Sequence, residues 1–584
     1  MTPPPALRRR ALAGAPHGWP AQVHPVLQRV YAARGVLCPA DAEHRLARLL
    51  PPQTLGGLPR ALDLIEAAIA ADRRILVAGD FDADGATGCA VALRGLRMLG
   101  ARNVGYVVPN RFEHGYGLSP ALVATLDPAP DLLITVDNGI SSLAGVDAAR
   151  ARGVAVIVTD HHLPGERLPA ADAIVNPNLP GDPFPSKALA GVGVMIYLLL
   201  ALRARLFPGA HPDREDQEAA IHGRSSGQKR PDLAALLDLV ALGTVADLVP
   251  LDFNNRVLVD AGLKRIRAGR ACAGVAALVE ASGRSAATLV AADLGYALGP
   301  RINAAGRLED MGLGVECLLT DDAARARELA TLLSGINDER RGLQAAMVEE
   351  AEAMVARAGD SNAIGVALFD PGWHAGVVGL VASKLKERLH RPVIAFAPAG
   401  EGSTELRGSA RSIAGFHIRD ALAEVDARHP GLLGRYGGHA MAAGLSLRAA
   451  DFARFAAAFD AVARERIGTG LLSPVLHTDG GLQADEFGLA LAQQLRDAGP
   501  WGQAFPEPLF DDVFECVGWR AMGERHLRLD LRDPRDGRVL QAVHFGGHDG
   551  LPPPALLRAA YELGIDDWQG RTRLRLLLRH REPA

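Results

Sequence analysis

Residues 79–88 read Gly-Asp-Phe-Asp-Ala-Asp-Gly-Ala-Thr-Gly and follow the apolar run Ile75-Leu76-Val77-Ala78. Three carboxylates, Asp80, Asp82 and Asp84, therefore stand at alternating positions where a buried strand gives way to a helical pattern over 89–99. One aspartate there would be an ordinary helix N-cap. Three repel one another and raise one another's pKa until a cation neutralises them, so they point to hard divalent metal. Three further clusters share this character. The run 132–136 ends in Asp137-Asn138-Gly139, the run 154–159 ends in Asp160-His161-His162, and an apolar helical stretch over 233–241 leads through Gly243-Thr244-Val245-Ala246 to Asp247. Singly, each has a plain explanation: Asp137 and Asp247 as caps, His161 as a hydrogen-bonded histidine at a domain edge. Together they make a mixed Asp/His site that suits Mn²⁺ or Mg²⁺, the histidine favouring Mn²⁺. A carboxylate such as Asp137 can bridge two such ions about 3.5 to 4 Å apart, the arrangement that activates water for in-line displacement at phosphorus.

The elements that must position these groups alternate in the order that builds a parallel sheet. Strand patterns at 104–108, 132–137, 154–160 and 173–175 are interleaved with helical patterns at 120–126 and 142–152, after a helix over 59–71. This is a doubly wound α/β domain, and ligands bind such domains outside the carboxyl ends of the strands.

Gly-Asp-Phe-Asp-Ala-Asp-Gly, Val-Asp-Asn-Gly-Ile, Thr-Asp-His-His and Gly-Thr-Val-Ala-Asp-Leu-Val-Pro-Leu, in this order, resemble the four metal-site motifs of the DHH phosphoesterase superfamily. The match is closest to its RecJ branch, single-strand-specific DNA exonucleases. That resemblance implies metal-dependent degradation of single-stranded DNA from the 5′ end to 5′-mononucleotides, in DNA recombination and repair. It makes Asp82, Asp84, Asp137, His161 and Asp247 ligands of two divalent cations, with Asp80 a ligand or a close neighbour of one. Asp160 would orient the histidines, and His162 would face the scissile phosphate, stabilising charge or protonating the leaving oxygen. Phe81 stands where the branch often has Tyr, a change that touches no ligand. Arg111, in the family-like Val108-Pro109-Asn110-Arg111, is implied as a phosphate contact, and Gly115-Tyr116-Gly117-Leu118-Ser119 is also family-like. The stretch 299–307, read as a Gly-rich turn, offers Arg301, Asn303 and Arg307 to phosphates and base edges beside the substrate path.

Residues 321–358 form a long charged helical pattern that reads as a connector between lobes. A second α/β lobe follows, with strands over 364–369 and 392–396 flanking Gly372-Trp373-His374-Ala375-Gly376 and a helix to Leu389. Arg407-Gly408-Ser409-Ala410-Arg411 and Tyr436-Gly437-Gly438-His439 then resemble the DHHA1 domain. Ser409 and Arg411 are expected to hold the terminal 5′-phosphate and so to set polarity, with His374 and His439 lining the cleft from this side. Strand-like runs at 512–517, 526–531, 539–545 and 574–578 follow 499–510 as in the OB-type domain that ends many members of the branch. Such barrels stack bases on aromatics, and aromatics are sparse here.

The 584 residues exceed one core. The expected domains are a helical segment (1–52), the DHH domain (53–270), a connecting helical region (271–358), the DHHA1 domain (359–468) and an OB-like barrel (469–584). A net charge of −4 excludes a uniformly basic nucleic-acid coat, leaving a local basic groove. Five cysteines without C-x-x-C spacing argue against a thiolate metal site and for a reducing compartment. Arg8-Arg9-Arg10 has no apolar run after it, and 192–202 is too short to span a bilayer. The reading is a soluble cytoplasmic monomer, away from membranes, acting on single-stranded DNA with a 5′ end, with single-strand-binding protein and a helicase as the partners the resemblance implies. The polar segment 211–231 reads as an exposed loop. Two rivals stand beside this reading: a DHH phosphodiesterase acting on short oligoribonucleotides or cyclic dinucleotides, and a non-catalytic replication scaffold of RecJ ancestry.

Overall fold

A computed structural model describes residues 4–111, 113–208, 230–357, 363–400, 402–568 and 571–584. The polar segment 211–231 lies outside them except for its last two residues. The chain divides into two compact units, residues 12–337 with 490–507, and residues 338–489 with 508–584 and the N-terminal 1–11.

The first unit is built on a five-stranded parallel sheet in the order Val104–Val107, Ile75–Gly79, Leu132–Val136, Ala155–Thr159, Ala173–Val175. Ile75–Gly79 and Leu132–Val136 are buried at every residue, as a sheet covered on both faces requires. On one face, Leu76, Ala78, Leu133, Val156 and Val158 pack against Leu122, Val123, Val146 and Ala149, from the helices Pro120–Ala124 and Leu143–Ala151. On the other lie Ala83–Met98 and Gly191–Leu206, and Leu237–Ala246 packs against these two helices; Gly191–Leu206 and Leu237–Ala246 are apolar nearly all round because they are buried. From Ile75–Gly79 the chain first winds outward to the edge strand and then returns to the opposite side at Leu132–Val136. The strand order therefore reverses between these two, and the crevice at their carboxyl ends is the binding position of such a sheet.

The 35-residue helix Ala323–Arg357 carries the chain into the second unit. There a five-stranded sheet runs Tyr436–Gly438, Ala442–Arg448, Glu405–Arg411, Val393–Pro398, Val366–Phe369, and a closed barrel is formed by Phe510–Met522, His526–Arg532, Val539–His544, Arg571–Pro583 and Leu556–Trp568. Among the described residues, no helix is long and apolar enough to cross a membrane.

Several local expectations change. The first motif's helix begins at Ala83, inside the motif, because Asp82 caps it. The stretch 299–307 is not a turn but the helix Gly299–Leu308. Ala6–Arg9, expected in short helices, is a strand paired in parallel with Val475–Thr478. The barrel's fourth strand in chain order, Leu556–Trp568, was not anticipated. Residues 490–507, expected in the barrel domain, pack in the first unit, where Trp501 stacks on Phe505 and Arg34 lies 5.4 Å from the Trp501 ring centre.

Candidate metal centre and nucleic-acid contacts

Each acidic group is delivered by the end of a buried element. Asp80 follows Ile75–Gly79 and is 4% exposed, its Oδ1 buried with no hydrogen-bond partner. Asp82 caps Ala83–Met98, its Oδ1 accepting from the Asp84 and Gly85 amides at 3.0 Å each. Asp84 accepts from the amides of Gly191 (2.6 Å) and Val192 (2.9 Å), the first residues of Gly191–Leu206. A Cβ on Gly191 would sit 2.4 Å from that of Asp137, so only glycine allows this helix end so close. Asp137 follows Leu132–Val136 with φ +62°, a left-handed backbone that a side chain bearing a carboxylate adopts at a cost of about 1–3 kcal/mol, typically at functional sites. Asp247 stands at the C-terminal cap of Leu237–Ala246.

His161 joins them. Its ring is hydrogen-bonded to the backbone of Leu189 while Nε2 has no hydrogen-bond partner, so Nδ1 makes the Leu189 bond and Nε2 presents a lone pair. Nε2 lies 3.0 Å from Asp137 Oδ1 and 3.5 Å from Asp247 Oδ2. Lone pairs facing one another at such distances repel, and a cation among them reverses the sign. One donor–backbone bond with the other nitrogen aimed inward is the usual arrangement of a metal-ligating histidine. Side-chain ligand atoms of Asp84, His161 and Asp247 lie within 4.8 Å of one another, as do those of Asp80, Asp82 and Asp137, and those of Asp137, His161 and His162. Asp137 is common to two groups that share no other carboxylate, so the donor set fits hard divalent metal.

The electrostatics agree. Burial first, and neighbouring carboxylates second, push Asp80, Asp137 and Asp247 well above the usual carboxylate range and Asp84 up to about 7. Burial, then His162, lowers His161 to about 4, which keeps it in the neutral, ligating form at neutral pH.

Asp160 differs. Burial would raise it, but it is held below its ordinary value by His162 and by backbone amides. Its Oδ1 accepts from the His161 amide (2.7 Å), the His162 amide (3.0 Å) and lies 2.8 Å from His162 Nδ1, and its Oδ2 accepts from the Ile140 amide (2.9 Å). With its oxygens so engaged it orients His162; burial lowers the His162 pKa, but the Asp160 bond together with the charges of Asp160, Asp80 and Asp82 raises it overall. Asn176 and Asn178 donate to the carbonyls of His162 and His161 and fix the loop. Sequence reasoning missed both, although Asn-Pro-Asn directly after a strand was a visible signal.

It also passed over Tyr116 as a site residue. The Tyr116 hydroxyl is 3.4 Å from His162 Nε2, and its ring meets Phe81 edge-on at 5.7 Å. The Arg111 guanidinium lies 4.2 Å from the Phe81 ring centre, within reach of the charges on Asp80 and Asp82, so Arg111 sits beside the metal cluster. The helix Gly299–Leu308 meets the first motif through Asn303, whose Oδ1 accepts from the Ala83 amide at 2.8 Å. Arg301 is turned into its own unit: Nε donates to Ser334 Oγ at 3.0 Å, and the guanidinium bonds the carbonyls of Ala297 and Ala281. Three of its donors thus serve packing within this unit. Arg307 is half-buried on the last turn of that helix.

In the second unit, Arg411 Nη1 donates to Ser409 Oγ at 3.0 Å. Burial lowers the Arg411 pKa, and no acidic side chain among the described residues pairs with it. A Cβ on Gly379 would lie 2.9 Å from Ser409 Oγ and 3.1 Å from Arg411 Nη2, so the first turn of Val378–Leu389 abuts both. A half-buried guanidinium with no counter-ion beside a helix N-terminus has the chemistry to take an anion. His374 Nδ1 accepts from the Gly376 amide, which places its ring in the loop before that helix. His439 is exposed on the turn between Tyr436–Gly438 and Ala442–Arg448. On the barrel, Trp519 (44% exposed) and Phe545 (59% exposed) flank His548 and His526, their ring centres 6.2 Å and 5.3 Å from these histidines. The Gly546 amide donates to His526 Nδ1 and the His548 amide to the Arg525 carbonyl, so the four rings share one rim.

Residues 74–244 match the DHH family, N-terminal domain, 360–465 the DHHA1 domain, and 478–580 the RecJ OB domain. The single-stranded-DNA-specific exonuclease RecJ of Dickeya dadantii is 50% identical over 586 residues, covering 99% of each chain. The crystal structure of Thermus thermophilus RecJ in complex with Mn²⁺ superposes with a TM-score of 0.78 at 33% identity, covering 96% of this chain and 76% of that one. The Mg²⁺ complex of the same protein gives 0.74 at 31% identity, with 96% and 75% covered. With every lobe and the barrel matched at these identities, this chain belongs to the RecJ family.

Proposed function

We propose that this chain is a metal-dependent exonuclease that hydrolyses single-stranded DNA from the 5′ end to 5′-mononucleotides, in DNA recombination and repair. The observation that carries the reading is the convergence of Asp80, Asp82, Asp84, Asp137, Asp247 and the Nε2 lone pair of His161, acceptors only, in one buried crevice. Two divalent cations, Mn²⁺ preferred over Mg²⁺, suit this set, with Asp137 between them. Bound there, they supply activated water and neutralise charge developing on the phosphoryl oxygens.

The side chains do the rest. Asp160 fixes Nδ1 of His162, which leaves Nε2 to give a proton to the departing 3′-oxygen. The substrate displaces the weak Tyr116 contact from that nitrogen. Arg111 takes a non-bridging phosphate oxygen. Ser409 and Arg411 grip the terminal 5′-phosphate, which makes the activity end-specific. Trp519 and Phe545 offer faces on which bases of the single strand stack, a contact that tolerates any sequence. The enzyme works as a cytoplasmic monomer, with a helicase and single-strand-binding protein supplying and presenting the strand. The reading is tested by degrading 5′-phosphorylated single strands, duplexes and dinucleotides in Mn²⁺. Long single strands should be consumed from the 5′ end and duplexes spared, and Asp137→Ala should abolish the reaction in a folded protein. Preference for dinucleotides, or activity without Asp137, would reject it.

A further inference from the structure

The helix Gly299–Leu308 is coupled to the first metal motif more tightly than a substrate-facing element needs to be. Leu294–Leu298 is a π-turn in which the Gly299 amide donates to the Leu294 carbonyl five residues back, and Gly299–Leu308 follows it. π-Turns recur at functional sites. Two residues of that helix, one turn apart, then touch the motif's backbone. Asn303 Oδ1 accepts from the Ala83 amide at 2.8 Å, across 220 residues of sequence. A Cβ on Gly306 would lie 2.0 Å from the Phe81 carbonyl oxygen, so the helix is in van der Waals contact with the peptide between Asp80 and Asp82.

Asn303 serves an otherwise unmatched donor at the start of Ala83–Met98. The first amides of Ala83–Met98 have no partner within the helix. The amides of Asp84 and Gly85 go to one oxygen of Asp82, Oδ1, and the Ala86 amide goes to the Asp82 carbonyl. That leaves the Ala83 amide, in a residue only 1% exposed. Asp82 Oδ1 already serves two amides, so the Asn303 acceptor spares the other Asp82 oxygen from serving the Ala83 amide as a third.

We propose that Asn303 is a positioning residue of the metal centre: its side-chain oxygen takes the Ala83 amide so that Asp82 keeps an oxygen for a cation. This rests on the metal-centre reading above and replaces the expectation that Asn303 contacts substrate.

The test is Mn²⁺ binding to the full chain without DNA, by calorimetry, beside kcat and KM for single-stranded DNA at saturating Mn²⁺. Asn303→Ala weakens Mn²⁺ binding about 10- to 100-fold, the usual loss for a group behind a ligand, with KM for DNA unchanged. Asn303→Asp, which keeps the acceptor, binds Mn²⁺ at least as well as the wild type. Unaltered Mn²⁺ affinity in Asn303→Ala, or a rise in KM alone, overturns the proposal. If Asn303→Ala does not fold, Asn303→Asp decides it: about a tenfold loss of Mn²⁺ affinity there overturns it. Failure of the underlying reading looks different, since the wild type itself would then bind no Mn²⁺.

Discussion

The metal centre should be a site of stored repulsion in the metal-free protein, and Asp137→Asn measures it. The ligand atoms of Asp80, Asp82 and Asp137 lie within 4.8 Å of one another. Unit charges at that distance in an effective dielectric of about 20 repel by roughly 3 kcal/mol per pair. Part of this is avoided by protonation, which is why the Asp137 pKa is raised, through burial first and its carboxylate neighbours second. A carboxyl raised in the fold contributes stability that is fully present below about pH 4 and lost as pH rises through its raised value. Metal-free wild type should therefore weaken as pH rises from about pH 4 through that raised value. Asparagine keeps the shape of Asp137, tolerates its φ of +62°, and cannot ionise. In EDTA at about pH 8, Asp137→Asn should be more stable by about 2–4 kcal/mol, or roughly 3–6 °C in the midpoint of the unit's thermal transition. The gain should vanish near pH 4, and the stabilisation that Mn²⁺ gives the wild type should be largely absent. Calorimetry with and without Mn²⁺ at both pH values is the assay. A variant no more stable than wild type at the higher pH in EDTA, with its Mn²⁺ response intact, would refute the reasoning.

Replacing His162 with Ala should lower kcat about 10²- to 10⁴-fold on normal DNA and far less on a 3′-phosphorothiolate, whose sulfur leaves without a proton; equal losses on both would count against the acid role. Arg411→Ala should raise KM about 10- to 100-fold for 5′-phosphorylated strands and leave 5′-hydroxyl strands unaffected, as loss of a charged hydrogen-bond donor predicts. Substituting Trp519 and Phe545 together by Ala should weaken long single strands by about 1–3 kcal/mol per stacked base in a binding titration, and leave turnover of trinucleotides unchanged.

The catalytic lobe was legible because its physics is local. Apolar runs set the parallel strands, and the central ones end in groups too polar to be there by packing alone, as with Val136 before Asp137 and Thr159 before Asp160. What stayed hidden depends on contacts between distant segments. Asn303 meets a backbone amide 220 residues away, and an amide leaves no sequence signature. The bond from Arg301 to Ser334 likewise joins residues 33 apart and has no local signature. Ala6–Arg9 has no strand pattern of its own and is ordered by pairing with Val475–Thr478. Leu556–Trp568 is interrupted by glycine and acidic residues, and its strand character emerges only once it pairs within the closed barrel.

The acidic crevice is expected to hold a pair of cations. A crystal of the full chain grown in Mn²⁺, with anomalous scattering recorded at the manganese edge, tests it most directly. Two peaks about 3.5–4 Å apart are expected, one on each side of the Asp137 carboxylate, with His161 Nε2 and Asp247 on one ion. Peaks elsewhere, or none in this crevice, would contradict the account.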